Sequence, residues 1–141
     1  MKRLFADPLV PGEGRGPVLI LEEPLSLWGG LDPETGEIID RRHPNSGQCV
    51  TNAVLLMPGS RGSSSASSIL LEAIRAGTAP AAIVIKERDG LLALGAAVAQ
   101  EMYGQTPPVV VLDSKAYSTI GKGDILHVHA QNEEAYVAIA C

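Results

Sequence analysis

The chain has 141 residues, 45% of them hydrophobic but only 4% aromatic, which suits one domain with a core of Ala, Val, Ile and Leu arranged in α/β layers. A formal charge of −5 gives no basic footprint for a polyanion, and aromatics are too scarce to stack bases, so nucleic acid is excluded as a partner. No apolar run is long enough to span a bilayer, and the two cysteines, Cys49 and Cys141, form neither metal-site spacing nor a disulfide framework.

Met1-Lys2-Arg3 has the charge of a leader's first residues, but Asp7, Pro8, Pro11, Gly12 and Glu13 interrupt any apolar stretch after it. A cytoplasmic protein with ordinary thiols is therefore expected. Val18-Leu19-Ile20-Leu21 follows Gly14-Arg15-Gly16-Pro17 and reads as a first strand ending near Pro24. From Ser26 to Gly47 the chain is turn-rich, with Trp28-Gly29-Gly30, Asp32-Pro33, Thr35-Gly36, His43-Pro44 and Asn45-Ser46-Gly47. A loop of that length inside a compact domain is usually functional or wrongly assigned.

Beyond it the pattern sharpens. Ala53 to Met57 is a buried-strand run stopped by Pro58-Gly59, and Ser67 to Ala76 has helical spacing ended by Gly77. Ala82 to Ile85 is a second strand of this kind, Leu91 to Tyr103 a second helix closed by Gly104, and Val109 to Leu112 a third strand. Alternating strands and helices imply parallel pairing through crossovers. Ser114 to Ile120 suggests a short helix, with closing strands over Asp124 to His129 and Ala135 to Ala140 and a solvated turn at Glu133-Glu134. There is no internal repeat and no linker, so residues 1–141 are expected to form one domain.

The stretch Pro58-Gly59-Ser60-Arg61-Gly62-Ser63-Ser64-Ser65-Ala66-Ser67-Ser68 joins a buried strand to a helix. Unpaired N–H groups and the positive end of the helix dipole make such a junction a natural anion site. Glycines at 59 and 62 let a ligand approach the backbone, the hydroxyls add donors, and Arg61 adds a fork suited to a carboxylate. A serine there could also move a proton. The same serines also fit a simple helix cap. The pattern is neither a P-loop, which needs Lys-Ser/Thr after its glycines, nor a Gly-x-Ser-x-Gly elbow with a triad.

Elsewhere, His43 could be an acid or a ligand, or a hydrogen-bonding loop residue. His127 and His129 share one face of a strand but lack a third metal ligand nearby, which favours ordinary polar strand positions. Trp28 could line a site or plug the core, and Asp32 and Asp40 read as turn caps.

Three stretches together resemble the small subunit, or swivel domain, of the aconitase X family: Pro24 to Gly36 with its Leu-Trp-Gly-Gly-Leu-Asp, Ile38 to Gly47 with His43-Pro44, and Pro58 to Ser68 with Arg61-Gly62-Ser63-Ser64. Ala79 to Ile85 and Gly123-Asp124 also fit. The resemblance implies a single swivelling β/β/α domain with a mixed, mainly parallel sheet, closing over a large subunit in a heterodimer. It implies dehydration of a small anionic or amino-acid substrate, with Ser63 as the base and Arg61, Gly62 and Ser64 shaping the loop and binding substrate. It also implies an iron or iron–sulfur centre ligated by the large subunit and not by this chain. Trp28, His43-Pro44 and Arg61-Gly62-Ser63-Ser64 resemble more closely the bacterial members, which dehydrate cis-3-hydroxy-L-proline; archaeal members dehydrate phosphomevalonate. A free-standing swivelling carrier or ligand-binding module, with His43 as its loop histidine, is the competing reading. The segment Trp28 to Gly47 and the serine loop are expected to share one exposed concave face.

Overall fold

A computed structural model describes residues 2–59, 65–88, 90–104, 106–131 and 133–140. Ser60, Arg61, Gly62, Ser63 and Ser64 lie outside the described residues. The chain runs β1 (Lys2–Val10), β2 (Gly12–Ile20), α1 (Leu27–Gly30), β3 (Val54–Met57), α2 (Ser65–Ala76), β4 (Ala82–Ile85), α3 (Gly90–Tyr103), β5 (Val109–Val111), α4 (Ser114–Tyr117), β6 (Ile125–Gln131) and β7 (Glu134–Ala140). Among the described residues no helix is long and apolar enough to cross a membrane.

The sheet is mixed, as expected, and closes into a barrel in the order β1-β5-β4-β3-β2-β6-β7. The expectation of a mainly parallel sheet needs correcting. Pairs β2–β3, β3–β4 and β4–β5 are parallel, whereas β1–β5, β1–β7, β2–β6 and β6–β7 are antiparallel. The crossovers through the turn-rich segment 21–53, α2 and α3 enforce the parallel half. The antiparallel half is built around the C-terminal hairpin β6–β7, with β1 added beside β7 and β2 beside β6, and the N-terminal stretch that forms β1 and the start of β2 was not apparent in the sequence.

That N-terminal stretch is hidden for a physical reason. Its outward positions Arg3, Phe5, Glu13 and Arg15 are exposed, and the inward positions of β2 begin with Gly14 and Gly16, so no apolar alternation appears before Val18. Glycines stand there because other backbone passes close. A β-carbon on Gly14 would overlap the Ala81 carbonyl oxygen, and one on Gly16 the carbonyl oxygen of Asn52, which itself sits at φ 60°. Glycine inside a strand commonly marks such an approach. The register of β1 on β5 shifts between Pro8 and Val10, where the strand accommodates a proline.

The period-two alternation of β3 and β4 divides the core. Val54, Leu56, Ala82, Val84, Val110 and Leu112 point into the barrel with Leu126, Val128, Ala130 and Val137. Leu55, Met57, Ile83, Ile85 and Val109 point the other way, onto Leu70 and Ile74 of α2 and Leu92, Ala96 and Ala99 of α3. Strands buried on both faces read as continuous apolar runs, as these do. The result is the expected three-layer β/β/α domain. The turn-rich segment is not a free loop, since Leu25, Leu27, Leu31, Ile38 and Val50 join the helix-side core.

Candidate functional site

Because β2, β3, β4 and β5 are parallel, their exits meet at one edge of the domain. Leu21–Ser26, Pro58–Gly59, Lys86–Arg88 and Leu112–Ser114 leave the strands there. Ligands of parallel sheets bind at that edge, and it is where the chain enters and leaves residues 60–64. The catalytic Ser63 and the substrate-binding Arg61, Gly62 and Ser64 expected from the sequence therefore fall between two described anchors at this edge, Gly59 and the start of α2.

The first anchor is fixed across strands. The Lys86 and Glu87 amides both donate to the Pro58 carbonyl oxygen, each at 3.3 Å. Gly59 is buried, and among the described residues the Glu87 carboxylate comes to 3.9 Å from where its β-carbon would lie. Lys86 turns the other way, its ammonium 5.0 Å from the centre of the Tyr117 ring in α4, a cation–π contact. Asp113, at the exit of β5, caps that helix by accepting from the Ala116 amide at 2.7 Å.

Burial pushes the Tyr117 phenol up to about 12, and among the described residues its buried hydroxyl has no partner. The unfolded phenol ionises near pH 10. Between about pH 10 and 12 the unfolded chain holds the phenolate and the folded chain the phenol, so stability should fall as pH rises through that window. Tyr117→Phe should flatten the decline without loss at neutral pH, checked by urea unfolding at pH 8 and pH 11.

A second structure braces the same edge. The Asn45 side-chain amide donates to the Ile20 carbonyl at 3.2 Å and to Gln48 Oε1 at 3.1 Å, and its oxygen accepts from the Glu22 amide at 3.2 Å. His43 is buried at 6% exposure. Its Nδ1 accepts from the Asn45 amide at 3.0 Å, so the proton resides on Nε2, which donates to the Glu23 carbonyl at 3.1 Å. Both ring nitrogens are thus engaged in holding the loop onto the exit of β2. This opposes the carrier reading, which needs a reachable loop histidine. Asn45→Ala should cost about 2 kcal/mol or more, because it strands buried backbone groups, measurable as a lower urea midpoint.

The segment Trp28 to Gly47 is split between the two ends of the domain. His43 and Asn45 meet the exit of β2 at the serine-loop edge, whereas the Pro33 carbonyl accepts from the Thr78 hydroxyl at 2.6 Å at the far edge, before β4. The expected shared concave face depends on residues 60–64, outside the described residues. Asp32 and Asp40 accept from the amides of Glu34 at 2.9 Å and Arg42 at 3.0 Å, the turn-capping role read from the sequence. His129 stacks on Tyr136 at 5.1 Å between ring centres and pairs with Glu13, on the outside of the barrel and away from the serine-loop edge.

The described residues do not fit an iron–sulfur cluster, which needs several thiolates. Cys49 lies at the far edge, its thiol donating to Thr51 Oγ1 at 3.3 Å, and Cys141 is outside the described residues. Among the described residues no three His, Cys, Asp or Glu side chains are grouped for a metal.

The strand exits other than Pro58-Gly59 were missed by sequence reasoning. Lys86-Glu87 looks like ordinary charged punctuation after an apolar run, and only the parallel register sets it beside Pro58. A charged pair directly after a buried parallel strand is the signal that would have found it.

The model of the aconitase X swivel domain matches residues 3–138. Cis-3-hydroxy-L-proline dehydratase of Pseudomonas aeruginosa is 48% identical over 107 residues, 76% of this chain but 18% of that protein, so the chain spans less than a fifth of that relative. The phosphomevalonate dehydratase small subunit of Methanothermobacter thermautotrophicus is 46% identical over 88 residues, 62% of this chain and 67% of that subunit. The crystal structure of Thermococcus kodakaraensis aconitase X in its holo form superposes with a TM-score of 0.84 at 28% identity, covering 98% of this chain and 99% of that one. With the family model matching nearly end to end and the three-layer barrel matching a solved member, this chain belongs to the aconitase X swivel domain family.

Proposed function

We propose that this chain is the small, swivelling subunit of a cytoplasmic hydro-lyase that dehydrates cis-3-hydroxy-L-proline, active only in a heterodimer with an aconitase X large subunit. The 48% identity to a dehydratase of that substrate carries the reading. Ser63 takes a proton from the substrate carbon next to the one bearing the hydroxyl, the double bond forms between them, and the hydroxyl leaves as water. An alkoxide-like serine needs donors and cations around it. The N-terminus of α2, together with Arg61, suits that need, and Gly62 and Ser64 shape the loop and bind substrate. The iron or iron–sulfur centre belongs to the large subunit in this reading.

Phosphomevalonate is the alternative substrate, favoured by the 46% identity to a small subunit named for it. Assaying the chain coexpressed with its large subunit on both compounds decides between them. Turnover of cis-3-hydroxy-L-proline alone is expected. Turnover of phosphomevalonate alone would transfer the assignment, and a chain that binds ligand by itself without turnover would favour a swivelling ligand-binding module.

A further inference from the structure

Helices α2 and α3 cover the parallel half of the barrel, while the outward face of β1 and β7, in the antiparallel half, meets solvent. Leu4 of β1 points into the barrel, so the alternate positions Arg3, Phe5 and Asp7 point out, and all three are exposed. Phe5, the one phenylalanine of the chain, is 85% exposed. Strand register sets Phe5 opposite Tyr136 and Arg3 opposite Ala138, which places the exposed Glu134 at the Asp7 end of the pair. The face is therefore banded, with a cation at one end (Arg3), rings in the middle (Phe5 and Tyr136) and carboxylates at the other end (Asp7 and Glu134). The Arg3 guanidinium lies 4.6 Å from the centre of the Tyr136 ring, which holds the cation against the aromatic band.

A face banded in this order complements itself. A half-turn about an axis lying in the contact plane, along the aromatic band, reverses the strand direction, so the rings of one copy meet the same rings of the other and each Arg3 comes over the opposite carboxylates. A half-turn about an axis along the strands would instead stack carboxylates on carboxylates. We propose that this chain pairs with a second copy of itself through the outward face of β1 and β7, with Phe5 and Tyr136 on their counterparts and Arg3 of each copy on Asp7 and Glu134 of the other. The curvature of the barrel confines the contact to these two strands, so the interface is small and a dissociation constant in the micromolar range is expected. The pairing goes beyond the hydro-lyase reading and does not depend on its substrate or its mechanism; in that enzyme it would join two heterodimers.

Sedimentation velocity of the full chain, alone and with its large subunit, tests this. The chain alone should pass from one copy to two as its concentration rises through the micromolar range, and the complex should carry two copies of each chain. Arg3→Asp and Asp7→Arg each set like charges together twice in a symmetric contact, and each should weaken the dimer about a hundredfold. The chain carrying both changes exchanges the two charges and should recover about tenfold of that loss. Phe5→Ser should weaken the dimer about tenfold. All three positions are exposed, so thermal melts of the variants should stay close to that of the unaltered chain. A chain that remains a single copy at about 100 µM overturns the inference, as does a complex with one copy of each chain. A dimer insensitive to all three positions overturns it by placing the contact on another face. A doubly changed chain that pairs no better than either single variant also overturns it, because only a second copy of this face regains affinity when the two charges are exchanged.

Discussion

Ser63→Ala, in complex with the large subunit, should abolish turnover while folding, assembly and iron content stay as in the unaltered complex. A general base contributes about a hundred- to ten-thousandfold in rate. One loop hydroxyl costs little stability beyond a helix cap of about 1 kcal/mol, so lost activity cannot be laid to unfolding. Ser64→Ala should be milder, because in the proposed mechanism that hydroxyl donates to substrate and takes no proton. Arg61→Ala should chiefly raise KM if the guanidinium holds a substrate carboxylate, and should lower kcat as well if it also steadies the serine alkoxide. Steady-state kinetics on the three variants, with circular dichroism and metal analysis of each complex, provide the check. Normal turnover by Ser63→Ala would reduce the loop to a cap.

Gly14→Ala should be the most destabilising single methyl in the molecule. The added β-carbon meets the Ala81 carbonyl oxygen at far less than contact distance and also crowds the Ala82 β-carbon at 3.1 Å. Neither atom can yield easily, since Ala82 pairs with Val54, the Ala81 amide donates to the Ala53 carbonyl at 2.8 Å, and Gly14 itself pairs with Val128. The strand must move away or the barrel must open, at a cost of about 3 kcal/mol or more. A melting temperature lower by about 10 °C is expected. Gly16→Ala, against the Asn52 carbonyl, should behave similarly. As a control, alanine at Gly29, which has open space around it, should cost less; its φ of 78° leaves only backbone strain, about 1 kcal/mol. A thermal melt of Gly14→Ala matching that of the unaltered chain would show that the closure of the barrel at this corner is wrong.

The resemblance read from the sequence named the family, because Leu-Trp-Gly-Gly-Leu-Asp, His43-Pro44 and Arg61-Gly62-Ser63-Ser64 occur together at their expected spacing. The central βαβαβ unit was legible without it. Residues 53–57, 82–85 and 109–112 are continuous apolar runs, because each strand buries one face in the barrel and the other under the helices. The helices between them announce themselves by spacing and by Gly77 and Gly104, both with positive φ. The position of the serine loop between β3 and α2 follows from that local order.

What the sequence by itself determined about this protein is therefore whatever a short window of residues encodes: strand, helix, turn and the strand–helix junction. The tertiary structure alone decided β1 and the start of β2, the closure of the barrel, the brace of His43 and Asn45 on the exit of β2, and the meeting of Glu87 with Gly59. Gly14 and Gly16 erase the apolar alternation that would have revealed β2, and do so because another backbone lies against them. Glu87 and Gly59 are far apart in the chain, and it is the parallel register of β3 on β4 that brings them to one edge. Contacts of this kind depend on how strands pair across the sheet, and strand pairing is a property of the closed barrel that no local run of residues carries.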